Sequence, residues 1–453
     1  MVSRRSFLVT GAVAAAGAGS LGAVAASARS AGAASLRARL NAEHHGYGPL
    51  QPDRDGLLEL PPGFRYRSFS REGEVFDGGT VPAAHDGMGA FAAPRGATVL
   101  VRNHELDIDD VLDDGLPPVP HVPGRTYDPE ALAGGTMNLL LGVHGGLLRQ
   151  EISLAGTLDN CAGGITPWGT WLSCEESDDI LGKPHGYVFE VDPQAGSDAR
   201  PIRAMGRFEH EAVCFDRHGT AYLTEDADGP FGCLYRFIPN QPLGGRGSLH
   251  AGGRLQAMTV PGFGSDLSLV QNAGMVLKVG WVDVPDPEPL AAGTPVREQV
   301  IALGALPIPK AEGTWADNDG GIWFVSSRGD GPDADDAEDV SAAVHSGQIW
   351  RYDPATDTIE LVVWFPKGTP WDEPDNITAG PHGFAVACTD GDDDQWLVGI
   401  SEVGRVFPFA RNALNDEEFA GACFSADGRT LYVNIQGPPG ITFAISGPWW
   451  RGV

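Results

Sequence analysis

Between Asp159 and Glu176 the chain reads Asp-Asn-Cys-Ala-Gly-Gly-Ile-Thr-Pro-Trp-Gly-Thr-Trp-Leu-Ser-Cys-Glu-Glu, so a strand-like apolar run ends on the thiol of Cys174 and the carboxyls of Glu175 and Glu176. Thiolate is a soft ligand and carboxylate a hard one. Their adjacency suits a site that holds a transition metal next to a hard cation such as calcium. The six cysteines, at 161, 174, 214, 233, 388 and 423, include no Cys-x-x-Cys pair and are too sparse for a disulfide scaffold in 453 residues. Those inside apolar runs, such as Val213-Cys214-Phe215 and Ala422-Cys423-Phe424, read as small buried hydrophobes. Cys174 stands apart because two acids follow it.

The elements that must position this chemistry are short. The sequence carries 62 glycines and 35 prolines, alternating apolar runs and no long helical periodicity, which is an all-β signature. A unit recurs about six times: a polar head, an apolar strand, a Gly turn, a second strand with a polar end, then a Gly-x-aromatic strand. The third strands echo one another most clearly, as in Gly186-Tyr187-Val188-Phe189 and Gly347-Gln348-Ile349-Trp350. Radial repetition of this kind predicts a six-bladed β-propeller filling residues 40–453 as one domain, with loop insertions near 106–133, 241–300 and 329–346 all on one face.

In a propeller the first strand of each blade lines the central channel, so equivalent positions form a ring at one mouth. The repeat places Asp86, Asp159, Glu211, Glu312, Asp375 and Glu418 there, and a second set at the ends of the next strands: Glu105, Glu175, Glu176, Glu225, Asp226 and Asp330. Converging carboxylates raise one another's pKa and lose hydration, a conflict that bound cations resolve. Some of these acids are expected instead to cap turns or accept backbone N–H groups.

On Arg102-Asn103-His104-Glu105, Thr170–Glu176, His210-Glu211-Ala212, Glu312-Gly313-Thr314-Trp315, Pro374-Asp375-Asn376-Ile377 and Glu418–Val433 the chain resembles the PhoX-type alkaline phosphatases, across nearly the whole region after the N-terminus. The resemblance implies an exported propeller phosphomonoesterase with ferric iron and calcium in the channel and a cysteine thiolate among the iron ligands. Carried to these positions, it makes Cys174 the iron ligand, with Glu211, Glu312, Asp375, Glu418, Glu105 and Glu175 as metal ligands and Glu176 as a further candidate. Catalysis would rest on Cys174, Glu211 and Glu312, with Lys310 or Arg328 clamping phosphate. Arginine is usual near Glu312 in that family, and lysine gives up bidentate recognition. His104, His210 and His382 adjoin motifs, either as partners of ligands or as hydrogen-bonded structural residues.

The N-terminus, Ser3-Arg4-Arg5-Ser6-Phe7-Leu8 followed by a weakly apolar Ala/Gly/Val run and small-residue cleavage options near 28 or 33, reads as a twin-arginine export signal over residues 1–33. The twin-arginine machinery is therefore an expected partner, and the destination is periplasmic, cell-surface or secreted. A net charge of −29 argues against nucleic acid as a partner. No later apolar run approaches membrane-spanning length. Two alternatives compete with a phosphate-monoester hydrolase: a calcium-dependent lactonase-type or phosphodiesterase propeller, and a non-catalytic binding propeller. A thiol ligand favours the first reading, because a calcium-only site has no use for it.

Overall fold

The computed structural model describes residues 46–451 except 291, 335 and 338. The export signal read at residues 1–33 lies outside these residues, as does the side chain of His382. Each repeat folds as an antiparallel meander. The six first strands are His85–Ala93, Asn160–Ile165, His210–Phe215, Ala311–Ala316, Pro374–Ala379 and Phe419–Phe424. Each of them packs against the first strands of the sheets before and after it in a closed cycle, the sixth against the first. The result is a six-bladed β-propeller.

Closure uses the N-terminal part of the described chain. Residues Arg65–Phe69 pair with Thr442–Ser446 as the outer strand of blade 6, and Leu58–Glu59 add a fifth strand to blade 5. Joining the two ends of the ring in one sheet removes the open edge that a linear array of blades would leave. Residues Val276–Lys278 and Gly280–Asp283 pair with the outer strands of blades 4 and 3 respectively, stitching these two blades at the rim.

Alternation along each strand supplies both faces of every blade with apolar side chains. In blade 3, Leu223 and Tyr235 pack with Leu172 and Val188 of blade 2, while Tyr222 and Leu234 pack with Phe324 and Trp350 of blade 4. The core is therefore distributed between blades, and the polar chemistry is left to the strand ends around the axis.

Every blade carries a register irregularity at the start of its first strand, between His85 and Met88, Asn160 and Gly163, His210 and Val213, Ala311 and Thr314, Pro374 and Ile377, and Ala420 and Cys423. A bulge leaves two residues outside the ladder and re-aims their side chains. The second of the two is small in five blades and is Asn376 in the other. All six of these residues (Gly87, Ala162, Ala212, Gly313, Asn376 and Ala422) line a cavity of only about 20 Å³ on the axis. That is room for about one water. Close approach of the first strands depends on glycine. A Cβ on Gly164 would lie 1.6 Å from Val213 O, and one on Gly421, at φ 64°, would lie 2.3 Å from Asp86 O.

Because strands alternate in direction, connections between second and third strands and between successive blades emerge at the same mouth as the bulges. The insertions at 106–133 and 329–346 lie there. The third divides: 240–252 falls at the opposite end, and 284–310 returns to the mouth.

Candidate metal centre

The first residue of each bulge faces the mouth, and in chain order these positions are Asp86, Cys161, Glu211, Glu312, Asp375 and Gly421. The six-acid ring read from the sequence is thereby corrected in two blades. Asp159 lies two residues before the blade 2 position, at φ 42°, and Glu418 lies three before the blade 6 position. Cysteine and glycine take their places.

Among the described residues, metal-ligating atoms within 4.8 Å of one another form the groups Asp86/Glu105/Cys161, Cys161/Glu176/Glu211, Glu211/Glu312/Asp375 and Asp375/Asp390/Glu418. Neighbouring groups share Cys161, Glu211 and Asp375 in turn, so the four form one continuous arc around the mouth. A further trio, Asp107/Asp110/Asp159, lies apart from the arc, and its Asp107 and Asp110 cap the short helix Ile108–Leu112 reciprocally.

The arc has the donor set of a cation site. Buried oxygens of Asp86 (Oδ1), Glu211 (Oε2) and Glu418 (Oε2) accept no hydrogen bond. Burial, then the charge of Glu105, pushes the Asp86 carboxyl well above its ordinary range; burial and Asp375 do the same to Glu211, and burial and Asp390 to Glu418. The Cys161 thiol is pushed up by burial and by Asp86 and Glu211, with Asp86 Oδ2 at 3.8 Å from its Sγ. Without cations these groups are forced towards their protonated forms; with cations each orphaned oxygen and the sulfur gain a partner.

Surrounding residues fix the arc. Asn103 donates to the carbonyls of Cys161 (3.0 Å) and Ala162 (2.7 Å), while its Oδ1 accepts from Trp171 Nε1 and Ser173 Oγ. The amide of Gln436 donates to Asp86 Oδ2 at 3.1 Å and Glu105 Oε2 at 2.5 Å, holding these two acids together. Asn376 crosses the axis, donating to Glu211 Oε1 and accepting from the N–H of Gly421 at 2.6 Å. Glu312 accepts from Ser327 Oγ at 3.2 Å. Asn103, Gln436 and Asn376 were not identified from the sequence, although two of them lie inside motifs that it displays.

The sequence-derived candidates sort unevenly. Glu105, Glu211, Glu312, Asp375 and Glu418 are in the arc, and Glu176 joins them. Cys174 is not. It is fully buried among Leu172, Val188, Phe208 and Val213 in the apolar layer between blades 2 and 3. Burial, then the charges of Glu175 and Glu176, raise its thiol far above the usual range.

Glu175 is also not in the arc. Its two oxygens accept from the N–H groups of Leu158, Gly186 and Tyr187 at 3.0–3.1 Å and meet His185 Nδ1 at 2.6 Å, while His185 Nε2 faces Asp128 at 3.4 Å. Burial pulls the His185 pKa down, but Glu175 and Asp128 outweigh it and the net shift is upward. Glu175 is thus the hub of the loop that carries Glu176. Replacing it by alanine strands three backbone donors and a buried histidine, so Glu175→Ala should cost about 3–5 kcal/mol of stability. Chemical denaturation checks this, and a loss below about 1 kcal/mol would remove the hub role.

Lys310, at φ 48°, directs its Nζ to Asp228 and lies 4.0 Å from Asp226, while Arg328 reaches Asp330 (3.0 Å), Asp339 (3.5 Å) and Glu373 (3.5 Å). Both cations are engaged by acids. His104 Nδ1 bonds Ala83 O at 2.7 Å, and His210 Nε2 bonds Gly206 O at 3.2 Å; burial holds His210 down to about 3.

A propeller with a thiol and carboxylates in one arc at the channel mouth fits the class of metal-dependent propeller enzymes. The family described as alkaline phosphatase PhoX matches residues 45–145 and 142–439, and the chain belongs to it. It is accordingly a phosphoric ester hydrolase. The vanadate-bound PhoX of Pseudomonas fluorescens has the same fold, with a TM-score of 0.64 at 18% identity over 86% of this chain and 96% of that one. A gluconolactonase of Xanthomonas campestris (TM-score 0.43, 11% identity, 89% of this chain and 99% of that one) and a virginiamycin B lyase of Staphylococcus aureus (0.40, 13%, 84% and 99%) are more distant. No curated protein matches the chain. Among the described residues, no helix is long and apolar enough to cross a membrane.

Proposed function

We propose that this phosphatase hydrolyses phosphate monoesters at a mixed iron and calcium centre, with Cys161 as the thiolate ligand of iron. The observation that carries this reading is a thiol placed between two acidic groups of one arc, Asp86/Glu105 on one side and Glu176/Glu211 on the other. Soft sulfur suits iron, and the all-carboxylate groups around Glu312, Asp375 and Glu418 suit calcium. When bound, such cations neutralise phosphate oxygens, activate an oxygen nucleophile and stabilise the leaving alkoxide.

The chain's own residues do the positioning. Asn103 holds the Cys161 backbone, and Gln436 holds Asp86 against Glu105. Lys310, two residues before Glu312, and Arg328, next to the Ser327 that bonds Glu312, stand as the phosphate clamps, exchanging a carboxylate partner for the substrate's phosphoryl oxygens. Export over the twin-arginine route, through the signal at residues 1–33, and a single catalytic domain over 40–453 belong to the same reading. That route carries proteins already folded around their cofactors.

Elemental analysis of protein purified from an export-competent host should find both iron and calcium, and chelation should abolish monoester hydrolysis until both are restored. Calcium alone, with activity, would refute the iron assignment and favour a calcium-only esterase.

A further inference from the structure

Lys310 is a buried lysine at the turn into the first strand of blade 4, Ala311–Ala316. Ser327 ties it to the arc: the Ser327 N–H donates to Lys310 O at 2.9 Å, and its Oγ donates to Glu312 Oε1 at 3.2 Å. An ammonium this far from solvent needs anionic partners. Two come from the chain just beyond the second strand of blade 3, Ala221–Glu225. Asp226 lies 4.0 Å from Nζ, and Asp228 pairs with Nζ directly.

The two aspartates differ in how readily they give the lysine up. The Asp226 side chain is 5% exposed and that of Asp228, in the turn that follows the strand, is 43% exposed. Water solvates an Asp228 carboxylate that leaves the pair, and a buried Asp226 has no such compensation. Asp228 is therefore the partner that a competing anion displaces, while Asp226 keeps Lys310 charged. The Asp339 carboxyl, raised mainly by burial, also feels Arg328, Lys310, Asp228 and Asp330, so both clamps and these acids share one cluster.

We propose that Asp228 is an internal substitute for phosphate: its carboxylate holds Lys310 in the free enzyme and must be displaced by the phosphoryl group, which weakens the hold on ester and on product phosphate alike. The inference rests on the phosphatase reading with Lys310 as a clamp, and goes beyond it by naming the residue that sets phosphate affinity. The exchange is ionic. No covalent bond changes, and Lys310 stays protonated because Asp226 remains beside it. After hydrolysis the tethered carboxylate returns to Lys310 and competes with the phosphate left in the site, so the device favours product release over tight binding.

The test uses the metal-loaded enzyme and measures the Kd of inorganic phosphate by titration calorimetry, with KM and kcat for phenyl phosphate. Asp228→Asn should lower the phosphate Kd and the ester KM about fivefold each, the weight of one partly exposed ion pair, without raising kcat. Asp228→Glu keeps a carboxylate within reach of Lys310 and should stay within about twofold of the parent. In a Lys310→Gln background the Asp228→Asn change should leave the Kd where it was, since no ammonium remains to compete for. A Kd that Asp228→Asn does not lower, or lowers equally in the Lys310→Gln background, overturns the proposal and leaves the phosphatase standing. A parent that turns over no phosphate monoester overturns the reading beneath it as well.

Discussion

Cys161→Ser is expected to strip iron from the protein and lower kcat/KM for a phosphate monoester by at least about 1000-fold, whereas Cys174→Ser should keep both metal and activity. The first figure corresponds to about 4 kcal/mol of transition-state stabilisation, within what bound cations supply to phosphoryl transfer. Serine keeps the size of cysteine but is not ionised at neutral pH and is a poor ligand for a metal that selects sulfur. Cys161 also belongs to two groups of the arc, so its loss disturbs Asp86, Glu105, Glu176 and Glu211 together. At Cys174 the same change places a hydroxyl among Leu172, Val188 and Val213 in that apolar layer. The expected cost is about 1–3 kcal/mol of stability, seen as a lower unfolding midpoint. Iron content and activity of the two purified variants decide the matter. Iron retained in Cys161→Ser but lost in Cys174→Ser would return the ligand to Cys174.

Glu211→Gln should abolish activity and yet stabilise the metal-free protein at high pH. Glu211 is shared by two groups, is buried, and has one oxygen that accepts no hydrogen bond. Burial and Asp375 raise its carboxyl well above the ordinary range, as burial with Glu105 does for Asp86 and burial with Asp390 does for Glu418. The sign follows from linkage: a raised folded-state pKa means that the folded protein holds protons which the unfolded chain has released. Stability from these groups is therefore complete below the unfolded carboxylate pKa of about 4.3 and is lost as pH rises through the raised values. Chelator-treated protein should show an unfolding midpoint that declines from about pH 5 upwards, with a shallower decline in Glu211→Gln, where one of the buried charges is gone. The metal-loaded protein should lack most of that decline. A metal-free midpoint independent of pH, or an identical slope in the variant, would contradict the placement of these carboxyls in one uncompensated cluster.

The sequence by itself determined the architecture and most of the acids. Six repeats of short amphipathic strands admit one closed solution, and the heads of those repeats must meet at one mouth, so Glu211, Glu312 and Asp375 were legible as ring residues and Glu105 as a neighbour. What the tertiary structure decided was register. Each first strand carries a bulge, and counting residues from a polar head cannot tell which of two or three adjacent side chains the bulge turns towards the axis. That ambiguity chose Asp159 over Cys161 in blade 2 and placed Glu418 in a position that Gly421 holds. It also favoured Cys174, whose neighbours in sequence are acids but whose neighbours in space are the apolar side chains between two blades. A signal was present: a small residue follows the axis-facing position in five blades, as in Asp86-Gly87, Cys161-Ala162, Glu211-Ala212 and Glu312-Gly313. Only packing around a closed axis explains why that residue must be small, because there the first strands of all six blades approach within contact of one another.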